Sequence, residues 1–309
     1  MRVNIVADDI TGACDTGVAF PGAVVALTPE APEAAVTVFS TDSRNDAADL
    51  AAAKIRALRA RLPEADLVYK KIDSIMRGNV REEVAAFDRE DVVVCPAFPE
   101  QGRTVENGRA LPAGIDLRAM FGASAIDART TNDLRRIAEE ALARKPLLVG
   151  SAGLAREIAR LLGAGPVTAA AAPGAGCPIL CVGSTHDATV AQVDHLLAHS
   201  RLGYEFWRID SRNPSAGQLR LLADCVRPRQ TGGLFLSGGD TALLVLEALG
   251  AKAIRLEAEL SPGVPVGRIV GGAGDGLAVI TKSGGFGGPE TLTRAVELLS
   301  GMTRVGGNV

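Results

Sequence analysis

Short apolar runs rich in β-branched residues alternate along this chain with longer segments of helical periodicity. The runs that predict strands are Val3–Ala7, Val36–Ser40, Leu67–Lys71, Val92–Cys95, Leu147–Val149, Ile179–Val182, Tyr204–Ile209, Leu234–Leu236, Ala253–Leu256 and Leu277–Thr281. The segments that predict helices are Ala47–Leu62, Asn132–Ala143, Ala152–Leu162, Ala188–Ser200, Ala216–Val226, Thr241–Leu249 and Pro289–Ser300. This alternation is typical of mainly parallel sheets flanked by helices. The sequence therefore predicts an α/β fold.

The first two predicted helices show the residue patterns on which the helix predictions depend. Within Ala47–Leu62, four apolar residues fall near one face, which we expect to be buried: Leu50, Ile55, Leu58 and Leu62. For the second helix, Thr131 or Asn132 is the predicted N-cap, because a side-chain oxygen there accepts from the free amides of the first turn.

One stretch interrupts the alternation and divides the chain into two parts of ordinary domain size. Residues 163–178 read GAGPVTAAAAPGAGCP, so the stretch buries little and its prolines resist a continuing helix. A chain of 309 residues is longer than one ordinary domain needs. We predict a first domain over 1–165, a linker over 166–178 and a second domain over 179–309. A surface loop within a single domain is the alternative.

The charge and apolar patterns exclude two classes of partner. The chain has 33 Lys and Arg against 36 Asp and Glu, so it offers no basic field to nucleic-acid phosphates. No run approaches the roughly 18 apolar residues of a membrane span, and the N-terminus lacks a signal-peptide pattern. Five scattered cysteines are expected to be reduced thiols. We predict a cytoplasmic protein without nucleic-acid or membrane partners, and a homo-oligomer is left open.

Polar and charged residues follow four predicted strands in the first half of the chain. They are Asp8 and Asp9 after the first strand, Ser43 and Arg44 after the second, Asp73, Ser74 and Arg77 after the third, and Arg103 after the fourth. Ligands of open parallel sheets bind outside the carboxyl ends of the strands, so one edge should carry all of these residues. Arginine forks suit a carboxylate, whereas aspartates accept from sugar hydroxyls or hold a metal. Helix capping explains Asp and Ser at any single strand end, but it does not explain the arginines.

Turns that contain glycine follow three predicted strands in the second half. They are Gly183-Ser184, Ser237-Gly238-Gly239-Asp240-Thr241 and Lys282-Ser283-Gly284-Gly285. A glycine turn between a strand and a helix offers free amide groups and the positive end of the helix dipole to phosphate. The three turns together predict a nucleotide polyphosphate site, and the alternative for each is a tight turn without a ligand.

Several motifs of other enzyme classes are missing or incomplete. No G-x-x-x-x-G-K-[ST] sequence is present, which excludes a Walker-A enzyme, and GSAG at 150–153 lacks the G-x-S-x-G spacing. The glycine-rich run at 271–276 resembles a dinucleotide fingerprint, but we interpret it as a loop before a strand. The three histidines, His186, His195 and His199, have no H-E-x-x-H motif or nearby cysteine, so solvated or capping roles are predicted.

Taken in order, seven motifs resemble the four-carbon acid sugar kinase family, which includes D-threonate, D-erythronate and 3-oxo-tetronate kinases. The motifs are ADDITGA at 7–13, KKIDS at 70–74, RGN at 77–79, PAFPEQGRT at 96–104, GSAGLA at 150–155, SGGDT at 237–241 and KSGGFG at 282–287. The resemblance spans nearly the whole chain. It implies an N-terminal acid-sugar domain, a C-terminal ATP domain and phosphorylation of the substrate's terminal hydroxyl. The chain departs from the family at 111–130, where members usually carry a longer segment.

The resemblance also implies two groups of binding residues. The acid sugar should meet Asp8, Asp9, Ser43, Arg44, Asp73, Ser74, Arg77 and Arg103. ATP should meet Ser184, the turn of Ser237, Gly238, Gly239, Asp240 and Thr241, and the turn of Lys282, Gly284 and Gly285. Mg²⁺ is expected with ATP, and no ligands are assigned to it. The active site is expected in the cleft between the domains.

The expected reaction is in-line phosphoryl transfer, which asks mainly for positioning and charge neutralisation. Asp73, or else Asp9, is the predicted acceptor of the hydroxyl proton. Arg77 or Arg44 is expected to bind the substrate carboxylate, and Lys282 to neutralise the transferred phosphate. Two other functions stay open: a non-catalytic nucleotide or sugar-acid sensor on a kinase-like scaffold, and a NAD-dependent oxidoreductase, for which a convincing fingerprint is missing.

Overall fold

The computed structural model describes residues 1–165, 167, 176–227 and 230–301, and the chain divides into two compact units. The first unit comprises Met1–Val25 and Glu33–Pro166, and the second comprises Ala26–Pro32 and Val167–Val309. The short segment Ala26–Pro32 belongs to the second unit, where the amides of Leu27 and Thr28 donate to the carbonyl of Lys252 at 3.0 and 3.2 Å. A short segment that crosses between units carries no composition signal, and the sequence did not indicate it.

The predicted linker over 166–178 lies mostly outside the described residues. Of its last residues, Cys177 and Pro178 lie in the first strand of the second unit, Cys177–Val182. The strand therefore begins two residues earlier than the apolar run at 179–182 suggested.

The first unit is built on a parallel sheet with buried strands. The strands from the start of the chain through this unit are β1 (Val3–Ala7), β2 (Val24–Ala26), β3 (Val36–Ser40), β4 (Leu67–Lys71), β5 (Val92–Cys95), β6 (Thr104–Glu106), β7 (Arg109–Leu111), β8 (Ile115–Asp116) and β9 (Leu147–Gly150). Five of them pair in parallel in the order β3-β1-β4-β9-β5. All five residues of β1 are buried, as expected for a strand covered on both faces. A separate antiparallel sheet is formed by β6, β7 and β8.

Six α-helices lie in the described part of the first unit. They are α1 (Ile10–Gly17), α2 (Ala48–Arg59), α3 (Val80–Ala85), α4 (Leu117–Phe121), α5 (Thr131–Arg144) and α6 (Ala152–Leu161). Helix α1 was not predicted, because all eight of its residues are buried and an all-buried helix has no polar face from which to read a period.

Two details of the predicted helices are wrong. In α2, Leu50 is 50% exposed, and the buried side chains are Ala51, Ala52, Ile55 and Leu58, because small alanines line the contact face and Leu50 points about 100° away from Ala51. The N-cap of α5 is Thr130 rather than Thr131 or Asn132. Its backbone is extended and its hydroxyl accepts from the Asp133 amide, while the Asp133 carboxylate accepts from the Thr130 amide, which completes a capping box.

The described residues of the second unit form six strands and four helices. They are β10 (Cys177–Val182), β11 (Glu205–Arg208), β12 (Thr231–Ser237), β13 (Ala253–Ser261), β14 (Val264–Val270) and β15 (Ala278–Lys282), with α7 (Asp187–His199), α8 (Ala216–Cys225), α9 (Gly239–Ala248) and α10 (Thr291–Leu299). The strand order is β11-β10-β12-β15-β14-β13. The first four strands are parallel, whereas β13, β14 and β15 pair antiparallel. The prediction of mainly parallel sheets flanked by helices is confirmed.

The core of the second unit explains why its strands read as apolar runs. A buried cluster joins strand residues such as Val182, Phe235 and Ile280 to helix residues such as Leu292 and Val296. Strand β14 was missed, since Gly267 and Pro265 interrupt its apolar pattern. The run at 271–276 is the loop between β14 and β15, as predicted.

Candidate active site

Arg44 binds two aspartates where β1 and β3 end. It donates from Nε and Nη2 to the two carboxylate oxygens of Asp8, both at 2.8 Å, and from Nη2 to Asp9 Oδ1 at 2.7 Å. Asp8 and Asp9 are buried. The forked guanidinium matches the geometry of a carboxylate, so the pair with Asp8 is bidentate. The structure brings these three predicted residues together, and two carboxylates of the chain occupy most of the arginine's donors.

This arrangement keeps Asp8 ionised although it lies out of water. Burial alone would raise the pKa of Asp8, but the hydrogen bond from Arg44 and the charges of Lys70, Arg44 and Lys71 lower it from 3.8 to about 2. Burial likewise opposes the charge of Arg44, and Asp9 and Asp8 outweigh that effect and raise its pKa. The sheet edge therefore carries paired charges at neutral pH.

Asp9 also caps helix α1. Its carboxylate accepts from the Gly12 amide at 3.0 Å and from the Thr11 hydroxyl at 2.6 Å. An N-cap aspartate satisfies amides that the first turn leaves free and favours the dipole of the helix. The capping alternative considered from the sequence thus describes part of what Asp9 does, and the contact with Arg44 adds a second role.

Lys71 is a site residue that sequence reasoning quoted but did not assign. It ends β4, only 6% of its surface is exposed, and its ammonium makes no hydrogen bond or ion pair with any residue that the structure describes. The ammonium lies at the first turn of α1, where a Cβ placed on Gly12 would be 2.9 Å from Nζ and would also collide with Asp9. Glycine at position 12 is what allows this approach. No hydrogen bond to a described residue occupies this ammonium, whose charge also acts on Asp8, so its three donors are available to an anionic ligand.

Asp73 and Arg77 form the third predicted group, after β4. Arg77 donates to Asp73 Oδ2 from Nε at 3.0 Å and from Nη2 at 2.5 Å, and the Ile75 amide donates to Oδ1 at 2.9 Å. Burial raises the pKa of Asp73, but the hydrogen bond and charge of Arg77, the charge of Arg44 and the Ile75 amide outweigh it, so that the pKa lies below its ordinary value. Arg77 itself is exposed over 59% of its side chain.

Ser74, Arg103 and Ser43 complete the predicted substrate group. Arg103 Nη1 donates to the hydroxyl of Ser74. Ser43 is fully buried and donates to Glu83 Oε1 at 2.5 Å, while Glu83 Oε2 forms an ion pair with the buried Lys70 at 2.6 Å. Ser43 therefore anchors the loop that carries Arg44 rather than presenting its hydroxyl to solvent. Glu83 and Lys70 were not among the predicted residues, because Glu83 lies in α3, which the sequence did not indicate.

Three strand ends meet in the second unit at the predicted nucleotide turns. The amides of Gly183 and Ser184 donate to the Ser237 carbonyl at 3.1 and 3.2 Å, and the Gly238 amide donates to the Lys282 carbonyl at 2.9 Å. These bonds join the ends of β10, β12 and β15. The Ser237 hydroxyl is buried and has no partner among the described residues, so this residue contributes its backbone to the turn.

The first turn of α9 follows directly and carries three predicted residues. Gly238 is the N-cap with φ of 105°, and no side chain caps the helix there. Gly239 and Asp240 open the helix, Asp240 is exposed, and Thr241 is buried against Gly183. Uncapped amides at a helix N-terminus leave donors available to an anion.

Buried side chains hold the turn at 283–287 from within. Lys282 Nζ donates to the carbonyls of Ser283 and Gly284 at 3.0 and 2.9 Å and to Thr189 Oγ1 at 3.0 Å. Thr189 donates to the Gly284 carbonyl at 2.9 Å, and Gln192 Nε2 donates to the carbonyls of residues 286 and 287 at 3.0 and 3.1 Å. Thr189, Gln192 and Lys282 are all fully buried.

This bracing leaves the amides of the turn available. The amide groups of Gly284 and Gly285 donate to no acceptor in the described part of the chain. Carbonyls held from one side and free amides in successive residues are the arrangement of a backbone anion site. All three donors of the Lys282 ammonium are engaged within this turn and by Thr189. Thr189 and Gln192 were missed, since they lie on α7, far along the chain from the turn.

We expect Lys282→Met to weaken ATP binding about tenfold at pH 7, because the turn loses three hydrogen bonds that orient it, a loss on the order of 1.4 kcal/mol. Burial lowers the pKa of Lys282 to about 8, so the wild-type affinity should also fall as the pH rises through 8, and the variant should lack that fall. Titration calorimetry between pH 6.5 and 9 measures both effects. Lys252→Met, an exposed lysine of the same unit, is the control. An unchanged affinity and pH profile in Lys282→Met would contradict the role of Lys282.

Comparisons with known sequences and structures show which proteins this chain resembles. The family described as "Sugar-binding N-terminal domain" matches residues 3–119, and the one described as "Nucleotide-binding C-terminal domain" matches residues 215–292. A D-threonate kinase of Bordetella bronchiseptica is 31% identical over an alignment that covers 96% of this chain and 97% of the relative. The chain belongs to the four-carbon acid sugar kinase family. A 3-oxo-tetronate kinase of Pseudomonas fluorescens is 25% identical, with 97% of each chain covered.

A solved structure supports the fold of this acid sugar kinase family. A Haemophilus influenzae protein designated DUF1537 superposes with a TM-score of 0.69 at 18% identity, covering 97% of this chain and 99% of the other. The family membership confirms the predicted phosphotransferase and favours neither the sensor nor the oxidoreductase. The sugar-binding match covers every predicted substrate residue, whereas the nucleotide-binding match covers all predicted ATP residues except Ser184.

Three further findings concern membrane-spanning helices, metal-binding groups and the length of a relative. No helix in the described ranges is both long enough and apolar enough to cross a membrane. The described residues hold no group of three His, Cys, Asp or Glu side chains that could bind a metal ion. The alignment with the Bordetella relative runs over 403 positions, more than the 309 residues here, so that relative carries segments with no counterpart in this chain.

Proposed function

We propose that this kinase transfers the γ-phosphoryl group of ATP to the terminal hydroxyl of a four-carbon acid sugar of the threonate, erythronate or 3-oxo-tetronate type. The observation that carries the proposal is the ammonium of Lys71, which makes no hydrogen bond with a described residue, beside the Asp8–Asp9–Arg44 group. An available ammonium among fixed carboxylates suits a ligand with one carboxylate and several hydroxyls. The names of the relatives point to the same substrates.

In the first unit, the acid sugar is proposed to meet Lys71 through its carboxylate. Arg44 and Arg77, which the sequence suggested for this role, already bind Asp8, Asp9 and Asp73. These arginines would keep the aspartates ionised, and the aspartates would accept from the hydroxyls of the substrate. Arg103, through Ser74, would order the loop beside them.

In the second unit, the phosphates of ATP are proposed to bind the free amides of Gly284 and Gly285 and those of the first turn of α9. Mg²⁺ is proposed to enter with ATP, since magnesium usually binds through substrate phosphates and one or two carboxylates. Asp240, exposed in that first turn, is the residue that would face it. When bound, Mg²⁺ would neutralise charge on the phosphates.

We propose Asp73 as the group that accepts the proton of the attacking hydroxyl, with Asp9 as the alternative. Asp73→Asn should lower kcat on the order of 10²- to 10³-fold, because general bases contribute rate factors of this size. The measurement is steady-state kinetics with circular dichroism to verify the fold. Asp88→Asn, an exposed carboxylate of the same unit, is the control. A kcat near that of the wild type in a folded Asp73→Asn protein would refute the assignment.

A second variant separates the base from its partner. Arg77 lowers the pKa of Asp73, so in Arg77→Met the pKa of Asp73 should rise and the acid limb of the kcat profile should move to higher pH. If Asp9 were the base, that limb would stay in place, because Arg77 makes no contact with Asp9 in the described residues.

The substrate class is tested with a panel of acids. ADP release is coupled to a spectroscopic assay with the D and L forms of threonate and erythronate and with 3-oxo-tetronate as acceptors, and kcat/KM is ranked. The proposal expects at least one of these acids to be phosphorylated with saturation behaviour. Tight ATP binding with no ADP release for any acid would favour the sensor.

A further inference from the structure

His186 lies beside the nucleotide turns, and no role beyond capping or solvation was predicted for it. It is exposed and is the N-cap of α7, four residues after the end of β10. Its ring reaches the turn after β15, because a Cβ placed on Gly285 would be 3.2 Å from His186 Nε2, and one placed on Gly284 would be 3.1 Å from His186 Cβ. A side chain at position 284 or 285 would press against His186, so the glycines let the ring and the turn lie this close.

The capping bond fixes the proton on the ring. The amide of Ala188 donates to His186 Nδ1 at 3.2 Å, and a backbone amide can only donate. Nδ1 is therefore the acceptor, and the proton of the neutral imidazole must lie on Nε2. The cap thus turns Nε2–H into a donor directed at the Gly284–Gly285 turn.

Hydrogen-bond donors of Gly284, Gly285 and Ser184 lie beside the His186 ring. The Gly284 and Gly285 amides are free in the described part of the chain, and the Ser184 hydroxyl also approaches Gly284. The His186 amide donates to Ser184 Oγ at 3.2 Å, which ties the two residues to one local structure. Two free amides, a hydroxyl and an imidazole N–H within this one local structure are complementary to an oxyanion.

We propose that His186 Nε2–H donates a hydrogen bond to a phosphate oxygen of the bound nucleotide. This inference rests on the proposed function, since it adds a residue to the proposed ATP site. The Nδ1 cap orients the ring, and the ring then extends the row of backbone donors by one side-chain donor.

The decisive variant is His186→Asn. Asparagine is among the best N-cap residues, so it keeps the bond to the Ala188 amide, but its side chain is too short to supply the Nε2 donor. We expect ATP and ADP affinity, measured by titration calorimetry, to fall about tenfold, while adenosine affinity and the thermal midpoint stay at wild-type values. His186→Ala should lose the same affinity and the cap as well. His199→Asn, an exposed histidine of the same helix, is the control.

The outcomes separate this inference from the proposed function. If the wild type binds ATP and His186→Asn binds it equally well, His186 is only a cap and the inference is wrong. If adenosine affinity falls as much as ATP affinity, the contact is not with phosphate and the inference is again wrong. If the wild type binds no ATP at all, it is the proposed function that fails.

Discussion

Lys71→Met is expected to remove the preference of the enzyme for an acid sugar over the matching neutral polyol. In the wild type, the ammonium of this largely buried side chain is proposed to pair with the substrate carboxylate, and truncating one partner of a buried charge pair costs about 2 to 5 kcal/mol. We therefore expect kcat/KM for threonate to fall on the order of 10²- to 10³-fold, while the low kcat/KM for threitol stays within a few-fold. The ratio of the two values, measured in the coupled assay, reports the carboxylate contact directly.

The variant should remain folded, since Met has a similar volume and the change breaks no hydrogen bond of the Lys71 ammonium to a described residue. Lys145→Met is the matched control, because Lys145 is exposed and its ion pair with Asp66 at 3.6 Å is a surface pair of little value. If Lys71→Met kept the wild-type ratio of kcat/KM for threonate to kcat/KM for threitol, the substrate carboxylate would have to bind elsewhere.

Arg44→Leu is expected to destabilise the first unit by about 3 to 5 kcal/mol at pH 7. The substitution leaves Asp8 and Asp9 buried without their partner, and breaking a buried pair from one side costs about this much. Urea unfolding followed by circular dichroism measures the change. Arg56→Leu on the exposed face of α2 should stay within about 0.5 kcal/mol of the wild type.

The pH dependence of this effect has a defined sign. The pKa of Asp8 is lowered in the folded state, so its contribution to stability is complete above about pH 4 and is lost as the pH falls towards 2. A drop from 3.8 to about 2 corresponds to on the order of 2 kcal/mol. In Arg44→Leu this contribution is missing, so the difference in free energy of unfolding between the variant and the wild type should become smaller as the pH falls. An Arg44→Leu protein as stable as the wild type at pH 7, or a difference in free energy of unfolding that grows in acid, would contradict this role of Arg44.

The sequence was sufficient to predict the strands of the parallel sheet in the first unit and the groups of residues at their ends. Every residue of β1 is buried, and so is every residue of β4 except Val68, so both read as short runs of strand-forming residues. Because parallel strands end at one edge, Asp8, Arg44 and Asp73 were expected near one another. The antiparallel strand β14 and the all-buried helix α1 were not predicted, since neither has a clear period.

Residue roles within the site depended on contacts that sequence spacing does not encode. Asp8 and Asp9 accept hydrogen bonds from the guanidinium of Arg44, and a hydroxyl and two carbonyls accept hydrogen bonds from the ammonium of Lys282. We therefore propose positioning roles for both residues, where the sequence suggested ligand contacts. We propose a role for Lys71 for the opposite reason, since only the structure reveals that its ammonium makes no hydrogen bond with a described residue.

The central claim is that this chain phosphorylates a four-carbon acid sugar at the expense of ATP. The most direct measurement incubates the enzyme with MgATP and each acid and quantifies ADP and the acid product by mass spectrometry. The account predicts one phosphorylated acid formed for each ADP released, with the new phosphate on the terminal hydroxyl. ADP release that does not depend on the acid, or no mass increase in any acid, would contradict it.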